Sequence, residues 1–399
     1  MTQRLAMTWS LSEIHGWGLV GVHSALHLVE LGMPPLLLER PAWSTLRPEN
    51  RDRLEGLNGG YEKMSALAAQ HQGKTLAIPE FDVLHALGNG FSPGGASERF
   101  RGRRNIGVIA FEDTRFDAAT RARAERYDHI IVHSTYNLNL LQAHGLRDVR
   151  VTFQGIDPTE IRPMPRTGRF ADRFVVFSGG KLEFRKGQDI VLAAFRRFHE
   201  RHPDALLVTA WHNPWPATAA DMAKSPHAKA APALDPQGRL DIRRWAAENG
   251  VPEQGFVDLG FLTRAKIAPL LAECDAAVFP NRCEGATNLV AMEAMACGVP
   301  CAVSANTGHL DLLGRDLCFP LADQRPVPDA TGAHVGWGES SVDELVETLE
   351  MLYADRTEAK RRADKAAAFM AGERTWRKFA ESFAAECWRD PVPLPALAS

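Results

Sequence analysis

Short apolar runs alternate with amphipathic segments along most of the chain, in two successive series. Each run has the length of a strand, and the segments between runs show the apolar spacing of a helix. Apolar strands separated by helices indicate parallel sheets that are buried on both faces. The predicted strands are 5–9, 35–38, 106–110 and 129–132 in the first series and 174–177, 205–209, 257–259 and 276–279 in the second.

A segment without periodicity, residues 155–173, separates the two series. It holds three prolines and mixed charges, as an interdomain linker does. A chain of 399 residues is also long for a single core. We therefore predict two α/β domains, mostly helical structure over 342–354 and 356–387, and a disordered tail from residue 391.

Composition narrows the class of protein. The net charge of −3 gives no indication of a nucleic-acid partner. The six cysteines lack the spacing of a zinc site, so we predict no metal and buried free thiols in a reducing compartment. The apolar stretch 17–38 carries His23, His27 and Glu30, which suits neither a signal peptide nor a membrane span. A cytoplasmic location follows as an expectation.

The stretch from residue 276 to residue 300 has the pattern strand, loop, helix. The run 276–279 breaks at Pro280, a polar loop follows, and good helix formers occupy 288–297 before Gly298 ends the helix. Glu284 therefore lies where a strand leads into a helix N-terminus. Backbone N–H groups and the helix dipole favour an anion there, so we expect a phosphate, with Glu284 accepting a hydrogen bond from a sugar hydroxyl.

This stretch resembles the donor-site signature of the retaining glycosyltransferases of family 4. In that signature a glutamate is followed, after seven residues, by a second glutamate that opens Glu-Ala-Met-Ala-x-Gly-x-Pro. Here Glu293 opens Glu-Ala-Met-Ala-Cys-Gly-Val-Pro, and Glu284 lies nine residues before it, so the loop carries one extra residue. The alternative is a loop and a core helix without function.

The resemblance implies the GT-B fold, an α/β architecture in which two Rossmann-like domains face each other across a cleft. The expected organisation is an N-terminal acceptor-side domain over 1–165 and a nucleotide-sugar donor domain over 166–370. A C-terminal helix over 371–390 would return to the N-terminal domain, and 391–399 would be a tail.

The resemblance also implies roles for residues of this stretch. Glu293 would hold the ribose hydroxyls and Glu284 would face the donor sugar. The extra residue should bulge the loop at 285–287, where glycine and alanine make a bulge sterically easy. The remaining donor-binding residues of the loop and helix would be Thr287, Asn288, Leu289 and Val290.

Clustered cations and glycines follow the strand 174–177 and precede a helix. This pattern suits a diphosphate, because glycines allow close approach and cations neutralise the charge that grows as a sugar departs. Family members carry Gly-Arg-x-x-x-x-Lys-Gly here, and Lys181 and Lys186 fall on the two cationic positions. We expect both to be catalytic, with Gly180 and Arg185 binding the donor. A solvated basic loop is the alternative.

The pattern Gly-x-Gly-x-x-Gly starts at Gly16 and raises a competing hypothesis. With Glu39 at the end of the next strand, it is typical of a dinucleotide site, hence of an NAD-dependent oxidoreductase. Against this, residues 10–15 separate the strand from the first glycine, and Trp17 is bulky for a pyrophosphate site. The family resemblance instead implies that Gly16 and Gly18 belong to a loop facing the donor phosphates.

Several side chains at predicted strand ends are further candidates. His85 matches a family histidine that faces the cleft and could be catalytic, although a structural histidine is an equal alternative. Asn89, Glu112 and His133 are acceptor-side candidates. Phe261 and Leu262 lie where relatives hold the nucleotide base. The basic run 97–104 could touch anionic lipid, although a solvated loop is favoured.

The family resemblance implies a retaining, metal-independent transfer of a sugar from a nucleotide-diphosphate sugar to a hydroxyl acceptor. The nucleotide sugar is a co-substrate, and no cofactor is expected. The acceptor would be a glycan, a lipid-linked molecule or another hydroxyl compound, and a lipid-linked acceptor would bring the protein to the inner face of a membrane. The alternatives are a non-catalytic nucleotide-sugar-binding protein and the oxidoreductase.

Overall fold

The structure is a computed structural model that describes residues 4–390. Contacts divide these residues into two units. The first comprises residues 4–154, 330–333 and 376–390, and the second comprises 155–329 and 334–375. The division falls at the start of the predicted linker, which contains no helix or strand.

A parallel β-sheet forms the centre of the first unit. Its strands are β1 (Leu5–Met7), β2 (Leu36–Leu37), β3 (Leu76–Ile78), β4 (Asp82–Gly88), β5 (Ser92–Pro93), β6 (Phe100–Gly102), β7 (Asn105–Ile109), β8 (His129–Val132) and β9 (Val149–Val151). The sheet order is β2–β1–β4–β7–β8–β9, with β5 antiparallel to β4, while β3 and β6 pair separately. The central strands are buried because helices cover both faces.

The helices of the first unit follow the strands in alternation. They are α1 (Gly16–Glu30), α2 (Pro48–Leu54), α3 (Asn58–Gln70), α4 (Gly95–Arg99), α5 (Ala118–Ala124) and α6 (Thr135–Ala143). Helix α1 begins where His15 accepts a hydrogen bond from the N–H of Gly18 at 2.8 Å. A Cβ atom on Gly18 would lie 2.3 Å from the carbonyl oxygen of Ser12, so this position requires glycine for close packing.

The second unit contains a sheet of parallel strands whose order reverses in its middle. The strands of this unit are β10 (Phe174–Gly179), β11 (Ala205–Ala210), β12 (Phe256–Asp258), β13 (Ala276–Phe279), β14 (Cys301–Ser304), β15 (Phe319–Leu321), β16 (Gln324–Pro326) and β17 (Gly338–Ser340). The order is β12–β11–β10–β13–β14–β15, and β16 and β17 form a separate antiparallel pair. The reversal between β10 and β13 makes their carboxyl ends a switch point, where ligands of such sheets bind.

Helices cover both faces of this second sheet. They are α7 (Gln188–Arg201), α8 (Ile242–Glu248), α9 (Arg264–Leu271), α10 (Leu289–Ala296), α11 (Val342–Ala354) and α12 (Arg356–Glu373). Phe195 and Trp245 pack in the core on one face, and Met292 and Met295 pack in the core on the other. Strands buried on both faces confirm the predicted α/β class.

The region predicted to be mostly helical from residue 356 forms two helices. A break at Arg374 and Thr375 separates α12 from α13 (Trp376–Trp388). Helix α13 groups with the first unit, where Trp376 stacks on His23 with ring centroids 4.5 Å apart. The predicted tail, 391–399, lies outside the described residues.

The six cysteines are free and buried, as predicted. Between residues 4 and 390, no helix is both long and apolar enough to cross a membrane.

Candidate functional site

Two loops meet at the switch point of the second sheet. The loop that follows β10 and the loop that follows β13 are joined by hydrogen bonds from the N–H groups of Arg282 and Cys283 to the carbonyl oxygen of Arg185, at 2.7 and 3.2 Å. Gly187 has a φ of +70°, and a Cβ atom there would lie 2.1 Å from the carbonyl oxygen of Pro280. Only glycine allows the two loops to approach this closely.

The carboxylate of Glu284 is buried between cations. Lys186 Nζ and Asn281 Nδ2 donate to its Oε1, and a guanidinium nitrogen of Arg185 lies 3.3 Å from its Oε2. Burial alone would raise the pKa of Glu284, but Lys186 and Arg185 outweigh it and hold that pKa at about 2. The same burial lowers the pKa of Lys186, against the attraction of Glu284. The structure thus brings together an ionised acid and two of the three predicted cations.

Lys181, the third cation, is linked to this cluster through Glu183. Its Nζ is 2.9 Å from Oε1 of Glu183, and Oε2 of Glu183 is 2.9 Å from Nε of Arg185. Lys181 also lies over the ring of Trp215, 5.1 Å from the centroid. Gly180 between β10 and Lys181 has a φ of +118° and open space where a side chain would be. These features leave room for a ligand beside Lys181.

Helix α10 presents its N-terminus next to the same loop. Asn288 caps it with a φ of +60°, and its side-chain oxygen accepts from the N–H of Ala291 at 3.4 Å. Within residues 4–390 the N–H groups of Leu289 and Val290 have no hydrogen-bond partner. Thr287 is fully buried, with its hydroxyl 3.1 Å from the sulfur of Met292. The first turn therefore offers free donors to an anion.

A buried histidine that the sequence did not indicate fixes the cap residue. Nδ2 of Asn288 lies 2.9 Å from Nε2 of His309, and Nδ1 of His309 lies 2.8 Å from the Ser304 hydroxyl. That hydroxyl donates to the carbonyl oxygen of Asn281 at 2.8 Å, so it accepts from Nδ1–H and leaves Nε2 as an acceptor. Burial lowers the pKa of His309 to about 4, so the ring is neutral at physiological pH.

Glu293 lies inside α10, where its carboxylate is 2.9 Å from a guanidinium nitrogen of Arg264. Burial raises the pKa of Glu293, although Arg264 opposes the shift. Arg264 also lies 3.7 Å from Glu160. Glu293 is thus a buried acid held in one orientation by the first residue of α9.

A fully buried arginine anchors the loop between β13 and Glu284. Arg282 makes two hydrogen bonds to Asp189, at 2.9 and 2.6 Å, and one to Glu339 at 2.9 Å. It also lies 4.0 Å over the ring of Phe184. Sequence reasoning missed Arg282; the only local signal was a charged side chain between an apolar strand and the predicted acid.

The residues predicted to hold the base lie after β12. Phe261 is 48% exposed and packs edge-on against His212, with ring centroids 5.2 Å apart. Leu262 is half-buried against the core. The nearby Trp211 is buried in the core and donates to the Ser178 hydroxyl at 3.1 Å.

The glycine candidates of the first unit lie at the start of α1. Gly16 opens α1, and the N–H of Gly18 is bonded to His15, which leaves that donor unavailable to a phosphate. Residues 8–15 separate β1 from the first glycine, and this separation disfavours the dinucleotide alternative. Gly18 and Gly21 of this pattern allow α1 to pack closely against Ser12 and Trp9.

The two histidine candidates of the first unit are buried. His85 lies within β4 with its Nε2 3.1 Å from Oδ1 of Asn105, and burial lowers its pKa to about 4. Nδ1 of His133 lies 2.9 Å from the carbonyl oxygen of Thr152. These positions favour the structural alternative for His85. Asn89 and Glu112 meet at a loop, where the side chain of Asn89 accepts from the N–H of Glu112 at 3.1 Å.

Comparison with known proteins agrees with this arrangement. A family model described as "Family 4 Glycosyltransferase in conflict systems" matches residues 261–383. This range includes Glu284, Glu293 and helix α10. The uncharacterized glycosyltransferase YqgM of Bacillus subtilis (strain 168) is 27% identical over 271 residues. By sequence, this part of the chain is similar to the glycosyltransferases of family 4. The match covers 68% of this chain and 64% of the length of YqgM.

Solved structures show the same fold at low identity. Sucrose-phosphate synthase from Thermosynechococcus elongatus aligns with a TM-score of 0.66 at 15% identity, covering 96% of this chain and 98% of that protein. Anabaena HepE in complex with UDP and glucose aligns with a TM-score of 0.63 at 15% identity, covering 96% and 98%. The predicted GT-B class, with two Rossmann-like domains, is confirmed.

Proposed function

We propose that this family 4 protein is a retaining glycosyltransferase that moves a sugar from a nucleotide-diphosphate sugar to a hydroxyl acceptor. The observation that carries the proposal is the cluster of Glu284, Lys186 and Arg185 at the switch point of the second sheet. It combines positive charge for a diphosphate with an acceptor for sugar hydroxyls, beside a helix N-terminus with free donors.

Each group has a distinct task in this scheme. Lys186 and Arg185 neutralise the charge that grows on the diphosphate as the sugar departs, and Lys181 extends the same positive edge. The N–H groups of Leu289 and Val290 bind a phosphate oxygen. These donors supply the stabilisation that a divalent cation provides elsewhere, so the scheme requires no metal.

The carboxylates orient the donor. Glu284, ionised because of its cationic neighbours, accepts hydrogen bonds from the departing sugar. Glu293 holds the ribose hydroxyls. The acceptor hydroxyl attacks on the face from which the nucleotide leaves, and a phosphate oxygen of the leaving group takes its proton. The scheme needs no strong protein base, and we assign no catalytic role to the buried His85.

The comparisons suggest which donor and acceptor to examine first. HepE is described in complexes with UDP and with UDP-glucose, and a Staphylococcus aureus TarM variant in a complex that contains UDP and α-GlcNAc-glycerol. We therefore propose a uridine-diphosphate sugar as donor and the hydroxyl of a glycan or glycerol-containing molecule as acceptor.

The first test is a donor panel. A ligand present at a hundred times its dissociation constant stabilises the protein by about 2.7 kcal/mol, so a nucleotide sugar that binds should raise the melting temperature. Transfer to a glycan panel follows, with NMR of the product to check that the anomeric configuration is retained. Binding without transfer or hydrolysis would favour the non-catalytic alternative.

The second test removes one cation. Lys186→Ala should lower turnover about a hundredfold or more, as the loss of one preorganised charge partner does. Lys360→Ala is the matched control, because Lys360 is an exposed lysine of the same unit that pairs with Asp364 on α12. Near-normal turnover in Lys186→Ala would contradict the assignment.

A further inference from the structure

Thr307 combines two unusual features. It is a buried, β-branched residue with a φ of +41°, a left-handed conformation that such residues rarely adopt. This conformation is unfavourable and persists only where the surrounding structure over-determines it. Thr307 lies against Glu284 and contacts its backbone.

The hydroxyl of Thr307 is fixed in direction by two partners. It donates to Oδ1 of Asn306 at 2.9 Å, so its lone pairs are free to accept the N–H of Glu284, also at 2.9 Å. Asn306 is itself fixed, because its Nδ2 donates to the carbonyl oxygen of Asn281 at 2.8 Å and to that of Gly338 at 3.1 Å.

The next residue binds the other backbone polar group of Glu284. The N–H of Gly308 donates to the carbonyl oxygen of Glu284 at 3.0 Å. A Cβ atom on Gly308 would lie 1.9 Å from the carbonyl oxygen of Ala286, so the loop with the extra residue lies directly against Gly308. Thr307 and Gly308 thus bond both backbone polar groups of Glu284.

We propose that Thr307 is a positioning residue for Glu284. Its strained backbone aims the hydroxyl at the Glu284 N–H, and this bond keeps the carboxylate oriented although the loop is one residue longer than in the family signature. The inference rests on the proposed function, because it assigns to Thr307 the orientation of a group that acts on the donor sugar.

The experiment compares four variants of the full-length protein. Thr307→Val removes the hydroxyl and keeps the shape, Thr307→Gly also relieves the backbone strain, and Thr307→Ser keeps the hydroxyl. Thr348→Val is the matched control, a buried threonine of α11 in the same unit. For each variant we would measure kcat, the Kd of the nucleoside diphosphate, the Kd of the nucleotide sugar and the melting temperature.

We expect Thr307→Val and Thr307→Gly to lower kcat by roughly tenfold to a hundredfold, as misplacement of a positioned group does. The Kd of the nucleoside diphosphate should stay within about twofold of the parent's value. The nucleotide sugar should lose the extra affinity that its sugar contributes in the parent. Thr307→Ser and Thr348→Val should keep kcat within about threefold. Thr307→Gly should melt above Thr307→Val because the strain is gone, so activity and stability should separate; a merely structural role would make them fall together.

A double variant tests whether Thr307 acts through the acid. Thr307→Val added to Glu284→Gln should lower kcat no further than Glu284→Gln alone. Two results with an active parent protein would overturn this inference and leave the proposed function intact. One is a kcat of Thr307→Gly equal to that of the parent, and the other is a kcat of the double variant reduced by the product of the two single effects. A parent that transfers from no donor would overturn the proposed function and this inference with it.

Discussion

At the residue scale, the centre of the site is an acid that is charged although it is buried. Removing Glu284 would leave the buried charge of Lys186 without this carboxylate, and breaking a buried pair typically costs about 3–5 kcal/mol. Removing Lys186 should cost less, because Arg185 still lies 3.3 Å from the Glu284 carboxylate. Loss of activity in Lys186→Ala must therefore be read together with a measured melting temperature. The neutral Glu284→Gln, which keeps the shape, is the gentler variant of the same pair.

Glu293 supports a prediction about affinity alone. Glu293→Gln should lower the affinity for nucleoside diphosphate by about tenfold or more, since charge-assisted hydrogen bonds to ribose contribute about 1.5–3 kcal/mol each. Isothermal titration calorimetry measures this directly. Glu358→Gln on α12 is the control, because the Glu358 carboxylate pairs with two neighbouring arginines of the same helix. Unchanged affinity would assign the ribose contact to another residue.

At the element scale, the site depends on how two loops approach each other. The 3₁₀ turn 184–186 ends at Gly187, which also caps α7, and the carbonyl oxygen of Pro280 fills the space of its missing side chain. The loop that bears Glu284 can reach the loop that bears Lys186 because this position lacks a Cβ atom.

Two glycines with nearly the same φ allow the effect of backbone strain to be tested separately from the effect of this close approach. Gly187 has a φ of +70° and Gly238 a φ of +75°, but a Cβ atom on Gly238 would meet nothing within 4 Å. Gly238→Ala should lower the free energy of unfolding by about 1–2 kcal/mol and leave activity intact. Gly187→Ala should lower the free energy of unfolding further and also weaken donor binding, because Pro280 must move. Urea denaturation and calorimetry with the donor measure both effects; equal behaviour of the two variants would disprove the argument.

At the scale of the whole molecule, the buried histidines whose pKa is strongly lowered are distributed unequally between the two units within residues 4–390. Burial lowers the pKa values of His85, His129 and His133 in the first unit, and of His309 in the second, to about 4. The unfolded chain binds these protons near pH 6.5, so each histidine stabilises the folded state fully above that pH and loses the contribution as the pH falls towards 4.

The first unit should therefore lose stability faster on acidification. The free energy of unfolding should fall by about 1–2 kcal/mol per buried histidine between pH 7 and pH 5. Hydrogen exchange followed by mass spectrometry, corrected for the intrinsic rates, resolves the two units at both pH values. His129→Gln should remove one histidine's share of the effect from the first unit only. An equal loss in both units would contradict the distribution.

Local patterns in the sequence were sufficient for most of the elements and for the main acids and cations. Apolar runs with helical spacing between them predicted β1, β2, β7 and β8 of the first sheet and β10 to β13 of the second, because burial on two faces requires that pattern. The short strands β9, β14 and β15 were not predicted. Glu284 and the lysines 181 and 186 stood out because they lie where a strand gives way to a helix. Glu293 stood out because it opens the family motif Glu-Ala-Met-Ala-x-Gly-x-Pro. Gly298 marked the end of α10 in the same way.

Only the tertiary structure showed what holds those groups in place. Arg282 meets Asp189 across 93 positions, and the Thr307 hydroxyl meets the Glu284 backbone across 23. Periodicity and propensity describe neighbours within a few residues, whereas these contacts depend on the order in which β10, β13 and β14 lie in the sheet. The amino-acid sequence by itself thus determined the type of fold and the kind of chemistry at the switch point. The folded chain decided the partners of each charge, because only there do residues from distant segments exclude water and share one buried environment.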